Sequence, residues 1–381
     1  MGKRKNIKFL CVNPVGYLPL MRYIIPLLSE KHTKVITTHV NGAYSFEEFG
    51  KQKNLHVFPT INHLNSHSKG VWFKKYSLVV LEILKSILSV GKTIIYTVDV
   101  QVVAIAIMLT RPFKKRIKIV YHQFEILDPE QTQGLNKELQ NYVVNHAKEV
   151  DLIIFPEITR SNYFYQTSNK AHYESLLIPN TNDLHIDRPD HIPSIAGIPD
   201  DHIIFGHVGS LGPFHYVNRY IDFIRANKNP KIAFLFIGNI ASSVSHYLTE
   251  MAAMDSRIKI IRELPHAELL KLYHRINIGV ILYKGIDINT EYCAPNKLYE
   301  YWAHGIPVLA HRLTGLIPIW KHEFQGRIID FENEHELAEA VDELLLHAQS
   351  YKAPLQNYFQ NHLSLEHYLP ELKNKVTSLY S

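Results

Sequence analysis

Cysteine is nearly absent: the 381 residues hold two. That excludes a disulfide framework and an all-thiolate metal site, and it suits a reducing compartment. Long apolar runs are missing too. The longest, residues 100–109, is about half of the roughly 18 residues a membrane span needs. The basic start, 1–8, meets only a short apolar stretch before Asn13-Pro14, so no secretion signal is expected. Asn6 stands where a lipidation start at Gly2 would need Ser or Thr. The expectation is a cytoplasmic chain without an integral anchor. Repeat bias is also lacking, and 46% hydrophobic with 20% charged residues is too apolar for disorder. Two or more domains of about 150 residues each fit this length.

Histidine is plentiful, at 23 residues. His63 and His67 are four apart, but Asn62, Asn65 and Ser66 mark a loop and no third ligand is evident, so no metal site is expected. Charge is distributed unevenly. Residues 1–118 hold 19 Lys and Arg against 5 Asp and Glu, and the remainder holds 22 against 31. Lys69, Lys74 and Lys75 surround Trp72, Phe73 and Tyr76, and Arg111, Lys114, Lys115, Arg116 and Lys118 surround Phe113. Basic residues interleaved with aromatics suit an anionic membrane surface, at about 1 kcal/mol for each charge close to it. A solvated basic face is the plainer alternative. No nucleic-acid module is recognisable, and the acidic remainder argues against nucleic acid as a partner.

Short β-branched runs alternate with helical patterns, which predicts α/β architecture with parallel sheets. In the first half, strands are expected over 7–12, 34–38, 93–97, 117–121 and 152–155, with helices over 20–29, 76–90 and 136–147. After a Pro- and His-rich stretch to about residue 200 the pattern restarts. Strands then fall over 203–208, 233–237, 258–261, 278–282 and 307–310. Helices fall over 217–227, 244–253, 266–275, 295–304, 338–348 and 363–380. The expected organisation is a basic domain over 1–180, a hinge over 181–200, a second domain over 201–350, and a helical segment over 351–381 that packs back on the first. Ligands of such sheets bind at the carboxyl ends of the strands, so a cleft between the two is the expected place for chemistry. Cys11 reads as core, and Asn180 and Asp183 as turn formers at the hinge.

The most informative segment is Pro295-Asn296-Lys297-Leu298-Tyr299-Glu300-Tyr301-Trp302-Ala303-His304-Gly305-Ile306-Pro307-Val308. Pro295 suits a first helical turn, Gly305 a left-handed stop, and Pro307 prevents continuation. Lys297 lies in the first turn, with Glu300 three residues on along the same face. A helix N-terminus with a lysine is an anion site, and a carboxylate one turn deeper accepts from a diol. A capped helix with an i,i+3 ion pair fits the same spacing.

Glu300, opening Glu-x-x-Ala-x-Gly-x-Pro-Val, resembles the donor-binding signature of retaining GT-B glycosyltransferases. The Pro-Asn-Lys-Leu-x-Glu-Tyr form is similar to the branch that builds capsular, exopolysaccharide and teichuronic-type polymers. Tyr121-His122-Gln123, Asp151-Leu152-Ile153, Ile178-Pro179-Asn180, Phe205-Gly206-His207-Val208-Gly209-Ser210-Leu211 and Phe236-Ile237-Gly238 follow in the family's order.

The resemblance implies two Rossmann-like domains facing each other across a cleft. It also implies transfer of a hexose, with retention, from a nucleotide-diphosphate sugar, UDP first among bases, to a glycan or lipid-linked glycan hydroxyl. Glu300 would bind the ribose and Lys297 the diphosphate, with Asn296 and Leu298 of the same turn lining the donor. His122 would lie near the transferred sugar, and Gly16 would admit backbone to donor or acceptor. The family's first glutamate falls at Tyr292 here, so either Glu291 serves in its place or that contact is lost. The usual Arg and Lys after Gly-x-Leu are replaced around Gly212, leaving Arg219 or His215 as substitutes. No cofactor and no metal are implied, in keeping with the lack of any Asp-x-Asp. Glu125 would be the base if the reaction inverted, and a surface carboxylate otherwise. A sugar-nucleotide epimerase of the same fold, or a non-catalytic relative acting as an assembly partner, are the rival readings.

Overall fold

The structure is a computed structural model that describes residues 5–12, 18–29, 33–39, 56–62, 69–126, 132–182, 191–262 and 264–381. Gly16, His63, His67 and Asp183 lie outside the described residues. The chain divides into two compact units, Met1–Pro179 with Leu365–Ser381, and Asn180–Ser364.

The first unit is built on a parallel sheet of seven strands: β1 (Lys5–Leu10), β2 (Lys34–His39), β3 (His56–Asn62), β4 (Lys92–Thr97), β5 (Ile117–His122), β6 (Leu152–Phe155) and β7 (Ser175–Leu177). Their spatial order is β3-β2-β1-β4-β5-β6-β7. Helices α1 (Met21–Leu28), α2 (Lys69–Leu88), α3 (Val100–Thr110), α4 (Gly134–Asn145) and α5 (Ile158–Thr167) accompany the strands. Successive strand side chains feed opposite faces: Phe9, Ile94 and Tyr96 enter one core, Leu10 and Ile95 the other. Burial on both faces explains why these strands read as continuous apolar runs. The apolar run 100–109, left without an element by its pattern, is α3, with Val100, Val102, Val103, Ala104, Ala106 and Ile107 buried. A helix apolar all round is a core helix at this length.

The second unit repeats the plan with β8 (Ile203–Val208), β9 (Ile232–Ile237), β10 (Ile258–Ile261), β11 (Ile278–Ile281), β12 (Val308–His311) and β13 (Gly326–Ile329), in the order β10-β9-β8-β11-β12-β13. Its helices are α6 (Val217–Ala226), α7 (Ser242–Met254), α8 (His266–Tyr273), α9 (Ile288–Glu291), α10 (Asn296–Ala303) and α11 (Glu334–Tyr358). Residue 350, the sequence-based limit of this domain, falls inside α11, and the chain passes to the first unit at Leu365. There α12 (Leu369–Ser378) sets Leu372 and Val376 against Met21 and Ile24, and the Tyr380 hydroxyl donates to the Asn6 carbonyl at 2.7 Å. Both sheets have the Rossmann order, with switch points at β1/β4 and β8/β11.

Candidate functional site

The second unit's switch point is organised by α10. Pro295 precedes it in extended conformation, and Gly305 ends the turn beyond it at φ +70°. A Cβ on Gly305 would lie 2.6 Å from the Lys352 carbonyl oxygen, so a side chain is excluded there by backbone as well as by φ. Tyr301 fastens the helix to β8: its hydroxyl donates to the Gly206 carbonyl at 2.7 Å and accepts from the Val208 N–H at 2.9 Å. Its ring occupies the space a Cβ on Gly279 would need, 2.6 Å away. Lys297, one turn earlier, is thereby held at the carboxyl end of β8.

The Lys297 Nζ lies 3.4 Å from His207 Nε2 and 5.2 Å from the Tyr283 ring centre. A Cβ on Gly209, whose φ is +115°, would stand 3.1 Å from that Nζ, so the glycine leaves the ammonium its place. His207 Nδ1 lies 3.1 Å from the Val280 carbonyl; it donates there, and Nε2 is left as acceptor toward Lys297. His215 has the opposite tautomer. Its Nδ1 accepts from the Gly212 N–H at 3.1 Å, so the proton sits on Nε2, which is buried without a partner. Its ring lies tilted against that of Tyr283, the centres 4.9 Å apart.

Burial pulls the Lys297 ammonium down from 10.5 to about 8, against the raising pull of Glu300 and then Cys293. Burial, with the Lys297 charge second, holds His207 well below its ordinary value and His215 at about 4. At pH 7 the site therefore carries one ammonium and one neutral imidazole N–H. One turn on, Glu300 is oriented from both sides. Its Oε2 accepts from the buried Tyr273 hydroxyl at 2.5 Å and its Oε1 from Asn182 Nδ2 at 3.4 Å. Each oxygen keeps a lone pair for a further donor. An ammonium, an N–H and a carboxylate one turn apart can hold an anion next to a diol.

Residues 190–360 match the family described as glycosyl transferases group 1. The chain has the GT-B fold, and its match to glycosyl transferases group 1 falls within the second unit. Similar solved structures span nearly all of it. HepE from Anabaena, in complex with UDP, is 16% identical over 98% of this chain and 100% of that one, with a TM-score of 0.70. HepE is also known with UDP-glucose, at the same identity and TM-score over 98% of this chain and 99% of that one. Sucrose-phosphate synthase from Thermosynechococcus elongatus is 14% identical over 99% of each chain, with a TM-score of 0.69. WaaG, a glycosyltransferase of lipopolysaccharide biosynthesis, is 14% identical over 97% of this chain and 98% of that one, at 0.67. A search of the curated proteins gave no match.

Several sequence-based assignments change in the structure. Leu298 is fully buried in the core and its N–H is bonded to the Pro295 carbonyl, so it packs beneath the site and its side chain offers no contact to a ligand. Asn296 opens α10, half-buried. Arg219 is not a phosphate ligand here: it donates to the Phe331 and Glu332 carbonyls and pairs with Glu334 at the start of α11. Of the two proposed substitutes, His215 alone stands at Lys297. The Glu291 Oε1 accepts from the Thr314 N–H at 3.1 Å and from its hydroxyl. Its Oε2 lies 2.5 Å from where a Cβ on Gly285 would be, so Glu291 ties together the loops after β11 and β12. Asn180, read as a turn former, donates to the Ala294 carbonyl at 2.8 Å and supports the entry to α10.

His207, Tyr273 and Tyr283 were not singled out in the sequence. Only His207 carried a signal there, as a polar residue inside an apolar strand.

In the first unit, His122 ends β5 fully buried. Its Nδ1 lies 2.7 Å from the Tyr96 hydroxyl, its ring stacks on Phe124, and its Nε2 has no partner. Burial pulls it to about 3. His304 is likewise held at about 4, first by burial. Between about pH 4 and the ordinary 6.5 the unfolded chain binds a proton at each of these histidines and the folded chain does not. Stability therefore rises with pH across that window and is lost on acidification, at about 1.4 kcal/mol per pH unit per histidine. Urea unfolding at pH 7 and pH 5 checks this. His304→Asn should shrink the difference by one proton's worth, and an unaltered difference would reassign the acid sensitivity.

Among the described residues no helix is long and apolar enough to cross a membrane, and no group of three or more His, Cys, Asp or Glu could hold a metal ion.

Proposed function

We propose that the chain transfers a hexose from a nucleotide-diphosphate sugar, with UDP as the carrier, to a hydroxyl of a lipid-linked glycan in surface polysaccharide synthesis. The observation that carries this reading is the desolvated Lys297 ammonium at the switch point, between neutral His207 and Gly209. The diphosphate takes Lys297 and the His215 Nε2–H, and the ribose hydroxyls donate to Glu300. Asn296 lines the donor from the first turn of α10. The UDP and UDP-glucose complexes of HepE support the choice of base.

The first unit supplies the acceptor, and His122, through its unpartnered Nε2, meets a hydroxyl of the transferred sugar. Gly16 stays an expectation of the resemblance. The acceptor oxygen bonds to the anomeric carbon as the carbon–phosphate oxygen bond breaks on the same face. The departing diphosphate takes the acceptor's proton, so configuration is retained. The charge that develops on the diphosphate is met by Lys297, without a metal or cofactor. Glu291, in this scheme, places the sugar-facing loops through Thr314.

The test is a thermal-shift panel of nucleoside diphosphates and their sugar conjugates without divalent ions, followed by glycan-dependent turnover. UDP raising the melting temperature by mass action supports the donor site. Turnover that needs no glycan would make the chain an epimerase, and no shift with any nucleotide would make it a non-catalytic partner.

Docking of the first unit on the cytoplasmic face of an anionic membrane is part of the proposal, and its chemistry shifts from charge to apolar surface. Glu149 neutralises Lys114 and Arg111, while Arg116 donates to the Ile87 and Ser89 carbonyls. What supports docking instead is an apolar stripe on α2. Phe73, Leu81, Leu84 and Leu88 are exposed at helical spacing, beside the exposed Lys74. Phe73→Ala with Leu88→Ala should weaken binding to anionic vesicles about tenfold and leave UDP affinity alone. Equal vesicle binding by variant and parent would remove the stripe from the interface.

A further inference from the structure

The first unit holds a cavity of about 290 Å³ at the carboxyl end of β5, enclosed by α3, α4 and α5. Its polar lining includes Tyr121, Gln123, Glu125, Gln140, Asn141 and Asn145, with Tyr163 and Thr167 of α5, set into walls of valine, isoleucine and phenylalanine. Gln123 directly follows His122, is only 6% exposed, and its side-chain Oε1 has no hydrogen-bond partner. A buried acceptor left unpaired is costly, and a ligand hydroxyl donating to it removes the cost.

No lysine or arginine is among the described residues of the lining, and Glu125 adds a negative charge. The cavity therefore disfavours phosphate, the reverse of the Lys297 site. Side-chain amides and two tyrosines offer donors and acceptors together, the mixture that matches vicinal hydroxyls. The aliphatic and aromatic walls match the C–H face of a ring. The volume is at the small end for ligand pockets, enough for one ring.

We infer that this cavity is a subsite for an uncharged sugar ring, the terminal residue of the glycan that accepts the transferred hexose. The inference rests on the proposed transferase reading. It assigns acceptor recognition to the amides of α4 and to Gln123, apart from the donor groups of the second unit.

The experiment is an NMR or calorimetric titration of the full-length chain with glucose, galactose and N-acetylglucosamine up to about 50 mM, with uridine as control and UDP in parallel. At least one of the neutral sugars is expected to bind. Asn141 is exposed, at the mouth, so Asn141→Trp should block that binding without disturbing the core. Gln123→Ala should weaken it about tenfold. Lys297→Ala should leave sugar binding unchanged.

Sugar binding indifferent to Asn141→Trp, or competed by uridine, overturns the assignment. So does the absence of sugar binding in a chain that binds UDP normally, and in that case the donor reading stands. Sugar binding in a chain that ignores UDP would be the failure of the donor reading alone.

Discussion

Replacing Lys297 by alanine is expected to weaken UDP binding roughly 10- to 150-fold, the loss of about 1.5–3 kcal/mol for a charged hydrogen bond. The ammonium is the cation held among His207, Gly209 and Tyr283, and the two neutral histidines beside it supply no second charge. With the lysine pulled down to about 8 by burial, its protonated form is complete near pH 7 and is lost above that value. UDP affinity should hold steady from about pH 7 to pH 7.5 and then fall, approaching tenfold per pH unit beyond about 8. The second phosphate proton leaves near pH 6, outside this window, so the alkaline fall reports the protein group. In Lys297→Ala that alkaline fall should vanish together with the affinity. A folded variant that binds UDP as the parent does would take Lys297 out of the donor site.

Tyr301→Ala should be the most damaging single substitution of the second unit. The ring is fully buried against Gly279, and its hydroxyl joins the Gly206 carbonyl and the Val208 N–H. Truncating a buried aromatic costs about 3–5 kcal/mol. The backbone groups left unpaired add about 1–3 kcal/mol more. Tyr301→Phe separates the two contributions, because the packing stays while the hydroxyl goes. It should lose about 1–3 kcal/mol and also weaken UDP binding, since the register of α10 on β8 is what places Lys297. Chemical denaturation with a UDP titration on the same samples measures both. A Phe variant as stable as the parent would mean that packing alone sets that register.

Strands such as 152–155, 203–208 and 258–261 were legible to the residue, because short β-branched runs carry their own pattern. The edge strand His56–Asn62 and the three-residue β7 were not, since strands this polar or this short have little periodicity. The core helix α3 escaped because a helix apolar on every side has no amphipathic signal. At the site, Lys297 and Glu300 were legible from a local helix with a marked beginning and end.

By itself, the sequence determined the parallel α/β plan, the restart near residue 203, and a helix running from Pro295 to a glycine stop, all of which depend on contacts within a few residues. Only the tertiary structure decided that Arg219 serves α11 while His215 faces Lys297, that Glu291 is tied to Thr314, and that Leu298 belongs to the core. It also decided that His207, ninety residues before Lys297, shares its site. Such pairings follow from sheet order and from which side of a strand or helix a side chain leaves, and no spacing along the chain encodes them.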